Sequence, residues 1–137
     1  MAASPQFVTT PNNQFTKLLP ATVPPTTVWS STAASGGIVR GICLALHAAA
    51  DNDVMLVVLR GGTAYDMCSA TVPARPTVGI DPTVPVLNLL DPTYIPFIDH
   101  EPSRALYMQE GDELQIVTAN VLAAGESLDV TVWGGDY

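Results

Sequence analysis

The chain has 137 residues, a length for one domain that buries roughly two thirds of the surface its unfolded form exposes. Charged residues make up 13% and apolar residues 47%, about half the usual charge of a soluble domain, which excludes intrinsic disorder and favours an assembly subunit with too little polar material to cover its own surface. A net charge of −8 argues against nucleic-acid binding, which needs a basic footprint to displace counterions, and equally against anionic membranes.

The charge is uneven. Lys17 and Arg40 are the sole charges of residues 1–50, a net of +2 there against −10 in residues 51–137. Residues 1–24 read as an extended, Pro-rich, neutral arm whose anchoring side chains are Phe7, Val8, Phe15, Leu18 and Leu19. Pro5, Pro11 and Pro20 interrupt the start where a secretory leader would carry its apolar core, so no leader is expected. The densest apolar stretch, Ile38 to Ala50, contains Arg40 and His47 and is shorter than the ~20 residues of a membrane-spanning helix.

Residues 25–137 read as one β-domain. Val28 and Trp29 lie in a short strand before the turn Ser35-Gly36-Gly37. Ile38, Arg40, Ile42, Leu44 and Leu46 then alternate with Val39, Gly41, Cys43, Ala45 and His47, a period of two with one large-residue face. A loop at Asp51-Asn52-Asp53 leads into the apolar run Val54 to Leu59, the pattern of a strand covered on both faces. Asp81-Pro82-Thr83 and Asp91-Pro92-Thr93 each read as a turn in which Asp bonds nearby backbone and Pro fixes φ. The prolines between Pro73 and Pro96 suit loops and sheet edges.

The last third is the most regular. Leu106 and Met108 share a face; Leu114 and Ile116 alternate with Gln115 and Val117; Leu128, Val130 and Val132 point in while Asp129, Thr131 and Trp133 point out. About eight antiparallel strands joined by short turns predict an all-β sandwich of jelly-roll type.

The chemistry-bearing residues point away from catalysis. His47 and His100 are the two histidines, and no Gly-x-Ser-x-Gly elbow or Gly-rich phosphate loop occurs. Asp99-His100-Glu101 is the densest titratable run, but consecutive strand residues face opposite ways, so it reads as a solvated loop. Asp51 and Asp53 lack the further oxygen ligands calcium takes, and Glu101, Glu110, Asp112 and Glu113 read as an exposed acidic loop rather than a glycosidase pair. Cys43 and Cys68, without a metal-binding spacing, read as buried free thiols, and His47 as a partly buried core residue. No cofactor, metal or catalytic residue is expected. Trp29, Trp133 and Tyr137 are weighed as sheet core, as interface anchors and as stacking plates for a sugar.

The order of these features, from the neutral arm through Trp29 to His47 and Val54 to Arg60 to Leu106-Tyr107-Met108-Gln109-Glu110-Gly111-Asp112-Glu113-Leu114 and Leu128 to Val132, resembles jelly-roll decoration (cement) proteins of tailed-bacteriophage capsids. The resemblance covers residues 25 to 134 and implies a non-enzymatic virion protein on the capsid surface, assembled in the host cytoplasm, homotrimeric and bound to the major capsid protein or other virion subunits. It implies no particular site residues. The protein-interface candidates read from the chain itself are Phe7, Val8, Phe15, Leu18, Trp29, Trp133 and Tyr137. The alternative expectation is a tail or fibre component that binds a host glycan or receptor.

Overall fold

The computed structural model describes residues 8, 10–22, 24–76, 81–95 and 104–137, which form β-strands and connecting turns with no helix among them. One sheet is built on β4 (Gly37–His47) and β11 (Ser127–Asp136), with β1 (Thr10–Pro11) and β2 (Gln14–Leu18) along the far edge of β11. The other sheet has the order β3 (Thr26–Ser30), β10 (Glu113–Thr118), β5 (Asn52–Arg60), β6 (Thr63–Val72). Beside β4 the first sheet ends in three short pieces, β7 (Ala74–Arg75), β8 (Leu87–Asn88) and β9 (Leu106–Met108).

The antiparallel pairings are nested. β5 pairs with β6, β4 with β8 and β9, β3 with β10, and β2 with β11, so the chain runs as a ribbon doubled back on itself and folded into two layers. The period-two pattern is what drives this: one side of each strand is apolar and is removed from water when the layers meet. Ile42, Leu44, Leu46, Leu56, Leu114, Ile116, Leu128 and Val132 have no exposed surface. The expected alternations of β10 and β11 therefore hold, with Leu114 and Ile116 inside on β10 and Leu128, Val130 and Val132 inside on β11.

Four expectations are corrected. Residues 10–18 belong to the larger sheet, so the boundary expected at residue 24 falls inside the sandwich. Arg40 does not share a face with Ile42: Trp133 pairs with Gly41 but Gly134 with Val39, which leaves Arg40 as an extra, exposed residue and returns Val39 to the core. The Val54–Leu59 run is covered on its outer side only in part, because Met55 and Leu59 stay half-exposed while Val57 is buried. Asn52 is no loop residue but the buried start of β5, where its side chain exchanges hydrogen bonds with the Asn120 backbone at 2.9 and 3.1 Å.

The two Asp-Pro-Thr turns form as expected. The Asp81 carboxylate accepts from the Thr83 hydroxyl at 2.6 Å and from its N–H at 3.0 Å, and the Asp91 carboxylate from the Thr93 N–H at 2.9 Å, which holds both carboxyls below the usual range. The Pro-rich middle of the chain supplies the broken edge beside β4, where a missing N–H costs nothing to the ladder.

Candidate functional site

The outer face of the larger sheet gathers four of the seven interface candidates. On β11, Asp129, Thr131 and Trp133 point away from the core, and the cross-strand registers place Phe15 and Cys43 on either side of Thr131, and Lys17 and Ala45 on either side of Asp129. Phe15 and Trp133 meet edge to face, with ring centroids 5.8 Å apart and planes at 84°. Phe15 is 70% exposed and Trp133 46%. Gly41 lies beneath Trp133, since a Cβ there would come within 3.3 Å of the indole, so the ring rests on the sheet instead of standing off it.

Past the Arg40 bulge, Val8 covers Gly135, and Tyr107 stands opposite Ile38 on β9. Tyr137 follows on the same side; burial pushes its hydroxyl up, the Tyr107 hydroxyl adds to that, and Arg40 offsets it in part. At the other end of the face, Lys17 Nζ lies 2.6 Å from Asp129 Oδ1, and His47 Nε2 lies 3.6 Å from Oδ2 while its Nδ1 meets the Pro76 carbonyl at 3.0 Å. The expected half-buried state of His47 holds, though it lies on this outer face and not in the core.

Rigid backbone presents Phe15. Asn12 is tied to the strand end by its N–H, which donates to the Gly134 carbonyl at 2.9 Å, while its own carbonyl accepts from Trp29 Nε1 at 2.9 Å. The Asn12 amide also donates to Ser30 O and to Asp136 Oδ1, both at 3.1 Å, and Ser31 Oγ donates to the same Asp136 oxygen at 2.7 Å. Gln14 Nε2 adds bonds to Ser30 O and Asn12 Oδ1 at 2.8 Å. None of Asn12, Gln14, Ser31 and Asp136 was legible as a supporting residue from sequence, because each has at least one partner far away in the chain.

The remaining candidates fall elsewhere. Trp29 has no exposed surface and Leu18 is 4% exposed, so both are core residues and neither is an interface anchor. For Trp29 the sheet-core reading is the one that holds. Phe7 lies outside the described residues, as does the Asp99-His100-Glu101 run. The acidic loop is corrected at Asp112, which is buried and bonds Arg60, while Glu110 is exposed. Cys43 and Cys68 are free but half-buried, and partial burial pushes both thiols up; for Cys43 a hydrogen bond with Trp133 works against that shift.

A second feature is a cleft of about 360 Å³ between the open edges of the two sheets, lined by Val58, Arg60, Tyr65, Met67 and the β9 strand. Tyr65 is 57% exposed at its rim. Among the described residues no three His, Cys, Asp or Glu side chains converge as metal ligands. No family model, curated protein or solved structure matches the chain.

Proposed function

We propose that the chain is a non-enzymatic structural subunit of a phage virion, a jelly-roll decoration protein that binds and stabilises the head shell. The sequence resemblance supports this reading, and so does the nested pairing of β2 with β11, β3 with β10, β4 with β9 and β5 with β6, the order a jelly roll requires. The observation that carries it is the outward grouping of Val8, Phe15, Trp133 and Tyr137 on one sheet face. Aromatic side chains of this kind bury large area at small entropic cost, which is how an interface anchor works. Its partners are shell subunits and further copies of itself.

The mechanism is mass action: a subunit that binds the assembled shell and not its dissociated parts stabilises the shell in proportion to occupancy and affinity. Co-sedimentation with purified shells of the phage that encodes the chain tests it. The wild type is expected to pellet with shells and the Phe15→Ser/Trp133→Ser variant to stay in solution; a wild type indifferent to shells overturns the reading.

The cleft favours a second reading, a tail or fibre module for a host glycan. Tyr65 and Tyr107 offer exposed rings and Arg60 offers donors beside an apolar floor. Glycan-array binding that is lost in Tyr65→Ala and kept in Trp133→Ser supports this reading over the first.

A further inference from the structure

The two outer faces of the sandwich differ in kind. The face of β2, β4 and β11 is aromatic and carries two cations, Lys17 and Arg40, against one anion, Asp129. Across the molecule, the outer face of β10, β5 and β6 is aliphatic. Its centre is Met55, paired with Val117, and Leu59, both half-buried and open in part to water.

The charges on that second face all have one sign. Leu59 stands opposite Glu113 and Val57 opposite Asp66, while Asp53 pairs with Thr71, whose hydroxyl donates to it at 2.6 Å. These three acids share the side of Met55 and Leu59, and no Lys or Arg accompanies them there: Arg60, the next residue after Leu59, turns inward to the buried Asp112. The aromatic side thus carries one cation in excess, Arg40, since Lys17 is paired with Asp129, while the other side carries three acids and no cation.

We infer that a second copy of this chain is the occupant of the aromatic face, docking through its acidic β10–β5–β6 face. Two acidic faces repel, since they set three anions against three and desolvating like charges together costs free energy, and two aromatic faces leave those acids without a counter-charge. Unlike faces bring Arg40, and Lys17 with its partner Asp129, toward Asp53, Asp66 and Glu113 while the Phe15–Trp133 pair covers the Met55 and Leu59 side chains.

The contact is heterologous, because two different surfaces of the same chain meet, and it leaves one free face of each kind at either end. Packed sheets lie face to face, so their outer sides look in opposite directions. Copies joined back to front therefore stack along a line, and the stack does not close into a ring of three. This goes beyond the shell-binding reading: it gives the same Phe15–Trp133 face a second occupant, so within a stack only the end copy presents that face to a shell, and the contact itself needs no shell.

Light scattering and sedimentation velocity over a concentration series, without shells, test it. Mass is expected to climb with concentration without settling at a fixed multiple, and to climb less in high salt, where exposed charges are screened within a few ångströms. Two variants block one face each: Phe15→Ser/Trp133→Ser on the aromatic side and Asp66→Lys/Glu113→Lys on the acidic side. Each alone is expected to stay monomeric, and a one-to-one mixture to give a dimer and nothing larger, since each supplies the face the other lacks. Circular dichroism checks that both variants remain folded. A wild type that stays monomeric, one that stops at a closed trimer, or a mixture that yields no dimer overturns the inference. Shell co-sedimentation of the same variants reads the decoration role separately, so stacking without shell binding and shell binding without stacking are distinct results.

Discussion

Arg60 closes on Asp112 through two hydrogen bonds, Nε to Oδ1 at 2.9 Å and Nη2 to Oδ2 at 2.6 Å, joining the end of β5 to the turn before β10. The same carboxylate accepts from the Gln109 N–H at 2.7 Å, so both of its oxygens are hydrogen-bonded while its side chain is 2% exposed. Arg60 keeps 45% of its side chain in water, so the cation is never fully desolvated, and the fork geometry stabilises more than an exposed point-charge pair does.

Asp112→Ala is expected to destabilise the fold by about 3 kcal/mol, since it leaves the Gln109 N–H and the Arg60 fork without their acceptor. Urea unfolding checks this. Arg60→Lys is expected to lose less, because an ammonium keeps the charge and gives up the second parallel bond; a loss equal to that of Asp112→Ala contradicts the fork argument.

Acid acts through the same group. Arg60, then the Gln109 N–H, hold the Asp112 carboxyl below its ordinary range, and backbone donors at Ala49 and Ala123 do so for Glu126. A carboxyl depressed in the folded state contributes stability above its unfolded value, about 4, and that contribution is lost as pH falls through the folded value. Urea midpoints are expected to stay level from about pH 8 to pH 5 and to fall below about pH 4. The acid limb is expected to be shallower in Asp112→Ala.

Trp29→Phe removes the indole donor to the Asn12 carbonyl and leaves a void where the ring has no exposed surface. A cost of about 2 kcal/mol is expected, from the orphaned acceptor and the cavity together. Amide exchange of residues 10–14 should speed up more than that of β5. An equal change across both sheets would mean that the indole does not hold the N-terminal strand.

Two glycines with similar backbone angles separate conformational strain from crowding. Gly36 (φ 78°) and Gly111 (φ 82°) both sit in the left-handed region, but a Cβ at Gly36 would collide with the Met108 carbonyl, while Gly111 faces open space. Gly111→Ala is expected to cost about 1 kcal/mol from φ alone. Gly36→Ala is expected to cost clearly more, because β9 must also move away from β4. Thermal unfolding of the pair gives the comparison.

Sequence reading succeeded where a signal is local. Alternation in Leu114 to Ile116 and Leu128 to Val132 needs nothing but the two-residue repeat of an extended chain, and each Asp-Pro-Thr turn is closed by atoms two residues apart. The outward direction of Trp133 follows from its own strand in the same way.

Where partners lie far apart in the chain, the sequence is silent. Asp112 looks like any loop acid until Arg60, 52 residues away, is beside it. Residues 10–18 look like an arm until β11 offers an edge. Arg40 keeps its apparent phase until the strand opposite fixes the register and makes it the extra residue.

The composition and period of this chain determined by themselves that it folds as packed β-layers with too little charge to cover them, since burial of alternating apolar side chains requires no particular partner. That Trp29 is core was decided by tertiary structure alone. Trp29 pairs with Leu114 across β3 and β10, and only that register between strands far apart in sequence sets the side of the sheet on which its ring lies.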